Sequence, residues 1–346
     1  MSFVSRSRFL LALLAVGVVS APSRLSPRCS ASTDWPGWNG IKHAFVFGDS
    51  YTTTGGKGFN HTLTQPSPTN PLGNPTYPGY TSSNGPNWVD YLTVKYNASL
   101  LQTYNLAVGG ATVDSDLVKP YQPTVLSVKQ QVQDVFLPTY VSPSSSDGIG
   151  LQWSASDSLF AFWIGINDVG NSYWQDDTAA LNRQIFAVYA DVIQKLYKDA
   201  GARNFLFLNV PPVDRSPLTL GQGATAVERE AADIAAFNAL TAELAANLAG
   251  TEEGEGANVW AYDVHTLFAE VLDRPGAYEA TAGYANTTAF CEAYQNGTPN
   301  LDTSDPACGI PVNEYFWLNS LHPTYPMHDV VAEQVASALE KGPNVC

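Results

Sequence analysis

Five short apolar runs punctuate this chain, at residues 42–47, 101–108, 158–166, 204–210 and 258–264. They are near-continuously hydrophobic and do not alternate with polar residues, the pattern of strands buried on both faces. Three longer stretches repeat at helical spacing. Residues 178–200 carry Leu181, Ile185, Val188, Val192 and Leu196. Residues 225–248 are Ala-rich, with Ile234, Phe237, Leu240 and Leu244, and residues 325–341 carry Val330, Val331, Val335 and Leu339. Strands alternating with helices predict a parallel sheet covered by helices on both sides. Ligands of such sheets sit beyond the carboxyl ends of the strands, so chemistry is expected where the runs end.

Two regions stand outside this alternation. Residues 55–87 are rich in Gly, Pro, Asn, Ser and Thr and read as one long loop, a length usually kept for function. At the N-terminus, Arg6 and Arg8 precede an apolar run of 11 residues, 9–19, followed by the small Ser20 and Ala21. That run is too short for a membrane span, which takes about 20 apolar residues, and reads as a secretory signal peptide over residues 1–21. Residues 22–346 are then expected to form a single domain, with no internal repeat and no appended module.

Composition narrows the partners. Of 346 residues, 45% are hydrophobic, enough for a sizeable core, and only 14% are charged. A net charge of −15 repels nucleic acid and anionic lipid headgroups. No nucleic acid and no stable membrane association are therefore expected; the charge suits neutral substrates and an acidic medium. Export makes disulfides expected for Cys29, Cys291, Cys308 and Cys346. Four cysteines allow three pairings; the expected ones are Cys291 with Cys308, across a local loop, and Cys29 with Cys346, tying the chain ends together. Asn60, Asn97, Asn286 and Asn296 open N-x-Ser/Thr sequons, so they are glycosylation candidates on surface loops.

Four segments carry candidate chemistry. Phe47-Gly48-Asp49-Ser50 places a serine just past the first strand, where it needs a base to take its proton. Thr52 stands where a G-x-S-x-G elbow would have its second glycine, which counts against an ordinary α/β-hydrolase. After the second strand, residues 105–112 contain Gly109 and Gly110, which let a backbone N–H approach a ligand closely. After the third, Gly165-Ile166-Asn167-Asp168 offers a side-chain amide. Leu321-His322-Pro323 precedes the last helix, and histidine is a general base near neutral pH. The other histidines are His43, His61, His265 and His328. His328 is the nearest rival, but it lies inside the last helical pattern.

The order and context of these four blocks resemble the SGNH, or GDSL, hydrolases, from Phe45 to the final helix. That resemblance implies a flavodoxin-like three-layer α/β/α sandwich with a central, mostly parallel five-stranded sheet, and ester hydrolysis. Carried over by position, it makes Ser50 the nucleophile and His322 its general base. The oxyanion hole would comprise the Ser50 N–H, the Gly110 N–H, or Gly109 if the turn is shifted by one, and the Asn167 amide. No metal and no other cofactor is implied.

One position departs from the family. Its usual Asp three residues before the histidine is Asn319 here. Three readings stay open: Asn319 orients His322 through its side chain or backbone carbonyl, another carboxylate does so, or the enzyme is weak or dead. The run from Tyr315 to Thr324 is similar, more closely, to secreted fungal acetylesterases of carbohydrate esterase family sixteen. This implies removal of acetyl groups from plant-cell-wall oligosaccharides, with Trp88, Trp163, Trp174 and Trp317 as candidate sugar platforms. The competing readings are a lipase or phospholipase-like acyl hydrolase, and a non-catalytic sugar-binding protein on the same scaffold.

Overall fold

Residues His43–Gly48 form β1, an inner strand of one parallel sheet, with every side chain of the strand buried. β2 (Gln102–Asn105) lies on one side, and β3 (Ser158–Trp163), β4 (Asn204–Leu208) and β5 (Asn258–Tyr262) follow on the other, in the order β2-β1-β3-β4-β5. All four pairings are parallel. The computed structural model describes Met1, Cys29 and residues 31–55, 63–141, 151–250 and 256–346. Apart from Met1, the expected signal peptide lies outside the described residues, as do Asn60 and His61.

Phenylalanines at matched register bind the middle of the sheet: Phe47 stacks on Phe162 at 4.8 Å and Phe162 on Phe207 at 5.7 Å. Alternation along the strands then addresses the two faces separately. Phe162 meets Tyr189 of α4 (Thr178–Lys198), while the next residue, Trp163, meets Phe268 and His328 on the opposite side. Helices α1 (Trp88–Val94), α7 (Val264–Asp273) and α8 (Tyr325–Lys341) cover that second face. The first is covered by α2 (Val128–Gln130), which continues as a π-helical stretch over Gln131–Val141, and by α4 and α6 (Ala224–Ala249). Two short helices, α3 (Ile166–Gly170) and α5 (Pro217–Leu220), sit at the strand ends. The result is the expected three-layer α/β/α sandwich.

The strands are shorter than their apolar runs. Leu106, Ala107 and Val108 leave the sheet after β2 yet remain buried, because the strand exits are themselves packed. Val264 belongs to α7, whose first turn is capped by the Asp263 side chain accepting from Thr266 N. Residues 63–87 contain no helix and no named strand. Disulfides join Cys29 to Cys346 and Cys291 to Cys308. The first anchors a C-terminal tail that pairs Val345 against Val259 on the outer edge of β5.

Candidate active site

Ser50 stands two residues beyond β1, on a turn held from several sides. Gly48 is so close to β3 that a Cβ there would lie 2.3 Å from the Trp163 carbonyl oxygen. The Gln131 side chain clasps Gly48, accepting from its N–H at 3.0 Å and donating to its carbonyl at 2.9 Å. The buried Asp49 carboxylate accepts from Tyr51 N at 3.0 Å. The carbonyls of the following loop would be bare inside the protein, which is costly. Asn87 donates to those of Thr52 and Thr53, Asn105 donates to Thr52, and Trp88 Nε1 donates to the Thr52 hydroxyl. Asn87 and Gln131 were not singled out from the sequence, since nothing local marks a residue whose partner lies 35 or 83 positions away.

His322 reaches the same point from the loop before α8. Its Nε2 lies 2.7 Å from Ser50 Oγ, and its Nδ1 lies 3.0 Å from Asn319 Oδ1. The same Asn319 oxygen accepts from Leu321 N at 3.0 Å and His322 N at 2.9 Å. Burial pulls the His322 imidazole down to about 4, and no charged neighbour offsets it. The loop is tied down at Ser320, whose carbonyl accepts from Leu218 N at 2.8 Å on α5.

The other two blocks converge on the same strand ends. Val108 N donates to Gly48 O at 3.1 Å, setting the exit of β2 beside that of β1. Gly110 follows with φ +84°, a conformation that favours glycine. Asn167, at the start of α3, donates one amide hydrogen to Ala111 O at 2.9 Å, and its second remains available. Both oxygens of buried Asp168 accept from Val113 N, at 3.0 and 3.2 Å, so α3 and the Gly110 turn are stitched at two points. Ser50, Gly110, Asn167, Asn319 and His322 are all half-buried, whereas Asp49 and Asp168 beneath them are fully enclosed. Desolvation raises Asp49 to about 8 and Asp168 to about 7.

The remaining candidates fall elsewhere. His43 is enclosed in β1, and His328 is buried in α8 with its ring 6.1 Å from that of Tyr51. Trp88, Trp163 and Trp317 are core residues, at most 1% exposed, so they offer no platform to a sugar; among the four, Trp174 is open to solvent at 54%. Of the sequons, Asn296 is exposed and Asn97 and Asn286 are half-buried.

An open parallel sheet with a serine–histidine pair at its strand exits belongs here to a carboxylic ester hydrolase. Residues 45–335 match the GDSL-like Lipase/Acylhydrolase family, and the chain belongs to it. It is 37% identical over 329 residues to an acetylesterase of Thermothelomyces thermophilus, covering 95% of each chain. It is 23% identical over 324 residues to an acetylesterase of Hypocrea jecorina, covering 86% of this chain and 87% of that one. A thermolabile hemolysin of Vibrio parahaemolyticus is 26% identical over 262 residues, 73% of this chain and 54% of the hemolysin. Among the described residues no helix is long and apolar enough to cross a membrane.

Proposed function

We propose that the protein is a secreted serine esterase that removes acetyl groups from plant-cell-wall oligosaccharides, of the kind grouped as carbohydrate esterase family sixteen. The carrying observation is the chain of contacts Ser50 Oγ–His322 Nε2–Asn319 Oδ1, at 2.7 and 3.0 Å. Ser50 attacks the ester carbonyl while His322 takes its proton and returns it to the leaving alcohol; water then releases acetate by the same route. The Ser50 N–H, the Gly110 N–H and the free hydrogen of the Asn167 amide receive the developing oxyanion, each worth about 3 kcal/mol.

An Asn behind the catalytic histidine is harmful in a serine protease because it selects the wrong tautomer. Here two backbone N–H groups hold the Asn319 oxygen, so oxygen rather than NH₂ faces Nδ1. Nδ1 must then carry the proton, and Nε2 is left free to accept from Ser50. Asn319 orients the base without charging it, making a Ser–His dyad with a neutral third member.

The acetyl assignment draws on the likeness to the two acetylesterases over most of their length, and the carbohydrate assignment on the resemblance of the run from Tyr315 to Thr324 to acetylesterases of family sixteen. Two disulfides fit an oxidising, extracellular setting for a mature chain of residues 22–346. Acetate release from a panel of acetylated xylo-oligosaccharides, with Ser50→Ala as control, tests the reading. Turnover that instead rises with acyl chain length on p-nitrophenyl esters would make the protein a lipase. Glycan binding without turnover, indifferent to Ser50→Ala, would make it a binding protein.

A further inference from the structure

Tyr121 is left 72% exposed although it sits against a turn of the active site. A Cβ built on Gly110 would stand 2.3 Å from Cε1 and 2.5 Å from Cδ1 of Tyr121, so the edge of the phenol ring lies flush on the Gly110 backbone. Isolated exposed aromatics are common and need no explanation. This one touches the residue whose N–H is placed in the oxyanion hole, and its other side faces water.

The segment that carries the ring is held in place. Pro120 and Pro123 flank the segment and restrict its backbone. On one side Leu117 N and Val118 N donate to Asp114 O, and Val118 O accepts from the Thr112 hydroxyl at 3.0 Å. Val125 N donates to Gln122 O on the other, and Asn171 Nδ2 reaches Lys119 O at 3.4 Å from the end of α3. An ordered loop that presents an aromatic at low entropic cost is a preorganised contact surface.

We propose that Tyr121 is the platform for the sugar ring that bears the ester, its phenol ring stacking on the apolar C–H face of a pyranose. An acetyl group needs a small closed pocket, whereas the alcohol part of the ester must extend towards solvent, where Tyr121 stands. The surroundings select a sugar over an acyl chain. Lys119, Gln122 and Thr124, which flank Tyr121 in sequence, are exposed and polar, a border suited to hydroxyls rather than to an acyl chain. A pyranose has one apolar face rimmed by hydroxyls, which fits an isolated ring within a polar border. This inference rests on the oligosaccharide reading of the substrate.

Steady-state kinetics on acetylated xylobiose and on ethyl acetate, for wild type, Tyr121→Ala, Tyr121→Phe and Tyr121→Trp, tests it. In Tyr121→Ala the ratio of kcat/KM for the sugar acetate to that for ethyl acetate should fall roughly tenfold, mainly through KM. The Phe and Trp variants should hold the ratio within about twofold of wild type. An equal loss on both esters would mean that the ring merely backs Gly110 and would overturn the platform, as would an unchanged ratio. Wild type that hydrolyses ethyl acetate but not acetylated xylobiose refutes the oligosaccharide reading, and the platform with it. Wild-type turnover of both, with the ratio intact in Tyr121→Ala, refutes the platform alone.

Discussion

The phenol of Tyr51 donates a 2.5 Å hydrogen bond to the carbonyl of Leu321, so the residue after Ser50 holds the residue before His322. The two loops come from opposite ends of the domain, 270 positions apart. Tyr51 is buried, with its ring 5.4 Å from that of Trp163 and 5.3 Å from that of His322. Burial raises its hydroxyl well above the ordinary phenol range, keeping it a donor at any working pH. Tyr51→Phe keeps the ring and removes the bond. Because misplacing a catalytic group by about 1 Å costs on the order of 100-fold, kcat should drop by about ten- to a hundredfold with KM little changed. Wild-type kcat in this variant would show that the tether does not position His322.

Ser50→Ala and His322→Ala should each lower kcat by at least about 1,000-fold, and the double variant should be little worse than either alone. Groups that act as one unit lose their function together. Additive losses in the double variant would mean that the 2.7 Å contact is not the working one.

The parts of this architecture set by local periodicity were legible in the sequence. The pattern at residues 325–341 coincides with α8, and that at 178–200 overruns α4 by two residues. Ends were harder to place where burial and single backbone contacts outlast the strand, as at Leu106–Val108, or where a cap follows a strand at once, as at Asp263. The stretch over Gln131–Val141 is obscured in the sequence because Pro138 lies inside it and polar Gln131 and Thr139 are among its buried residues. Ser50 and His322 could be named because their neighbours in sequence carry the signal. Asn87, Gln131 and Tyr51 hold the site through partners far along the chain, and no local pattern records that.

Asn319 contributes no charge, so nothing counters the desolvation that pulls His322 to about 4. The base form then persists to low pH, and the acid limb of kcat/KM should be centred well below the ordinary histidine value of about 6.5. Asn319→Asp retains an oxygen for the same three N–H groups and adds a negative charge, which favours the imidazolium. Its acid limb should therefore move upward by about one unit or more. A pH–rate profile of both proteins checks this; a wild-type limb near 6.5, or no shift in Asn319→Asp, would contradict a neutral third member.

Stability should respond to pH through carboxylates held neutral by burial. Desolvation raises Asp49 and Asp90 to about 8, and Asp168 and Glu230 to about 7. Unfolded, these groups titrate near 4, so between the two values the folded protein binds more protons and loses stability as pH rises. His322 and His328 are lowered to about 4 and 3, which acts in the opposite direction, but only below their unfolded value of about 6.5. Between pH 6.5 and 8 the carboxylates act alone. The Tm from calorimetry should therefore fall across that window, by a few degrees. Asp49→Asn keeps an oxygen for Tyr51 N and removes one titrating group, so its slope should be shallower than that of wild type. A Tm that is flat or rising from pH 6.5 to 8 would show that these buried acids are already ionised in the folded protein.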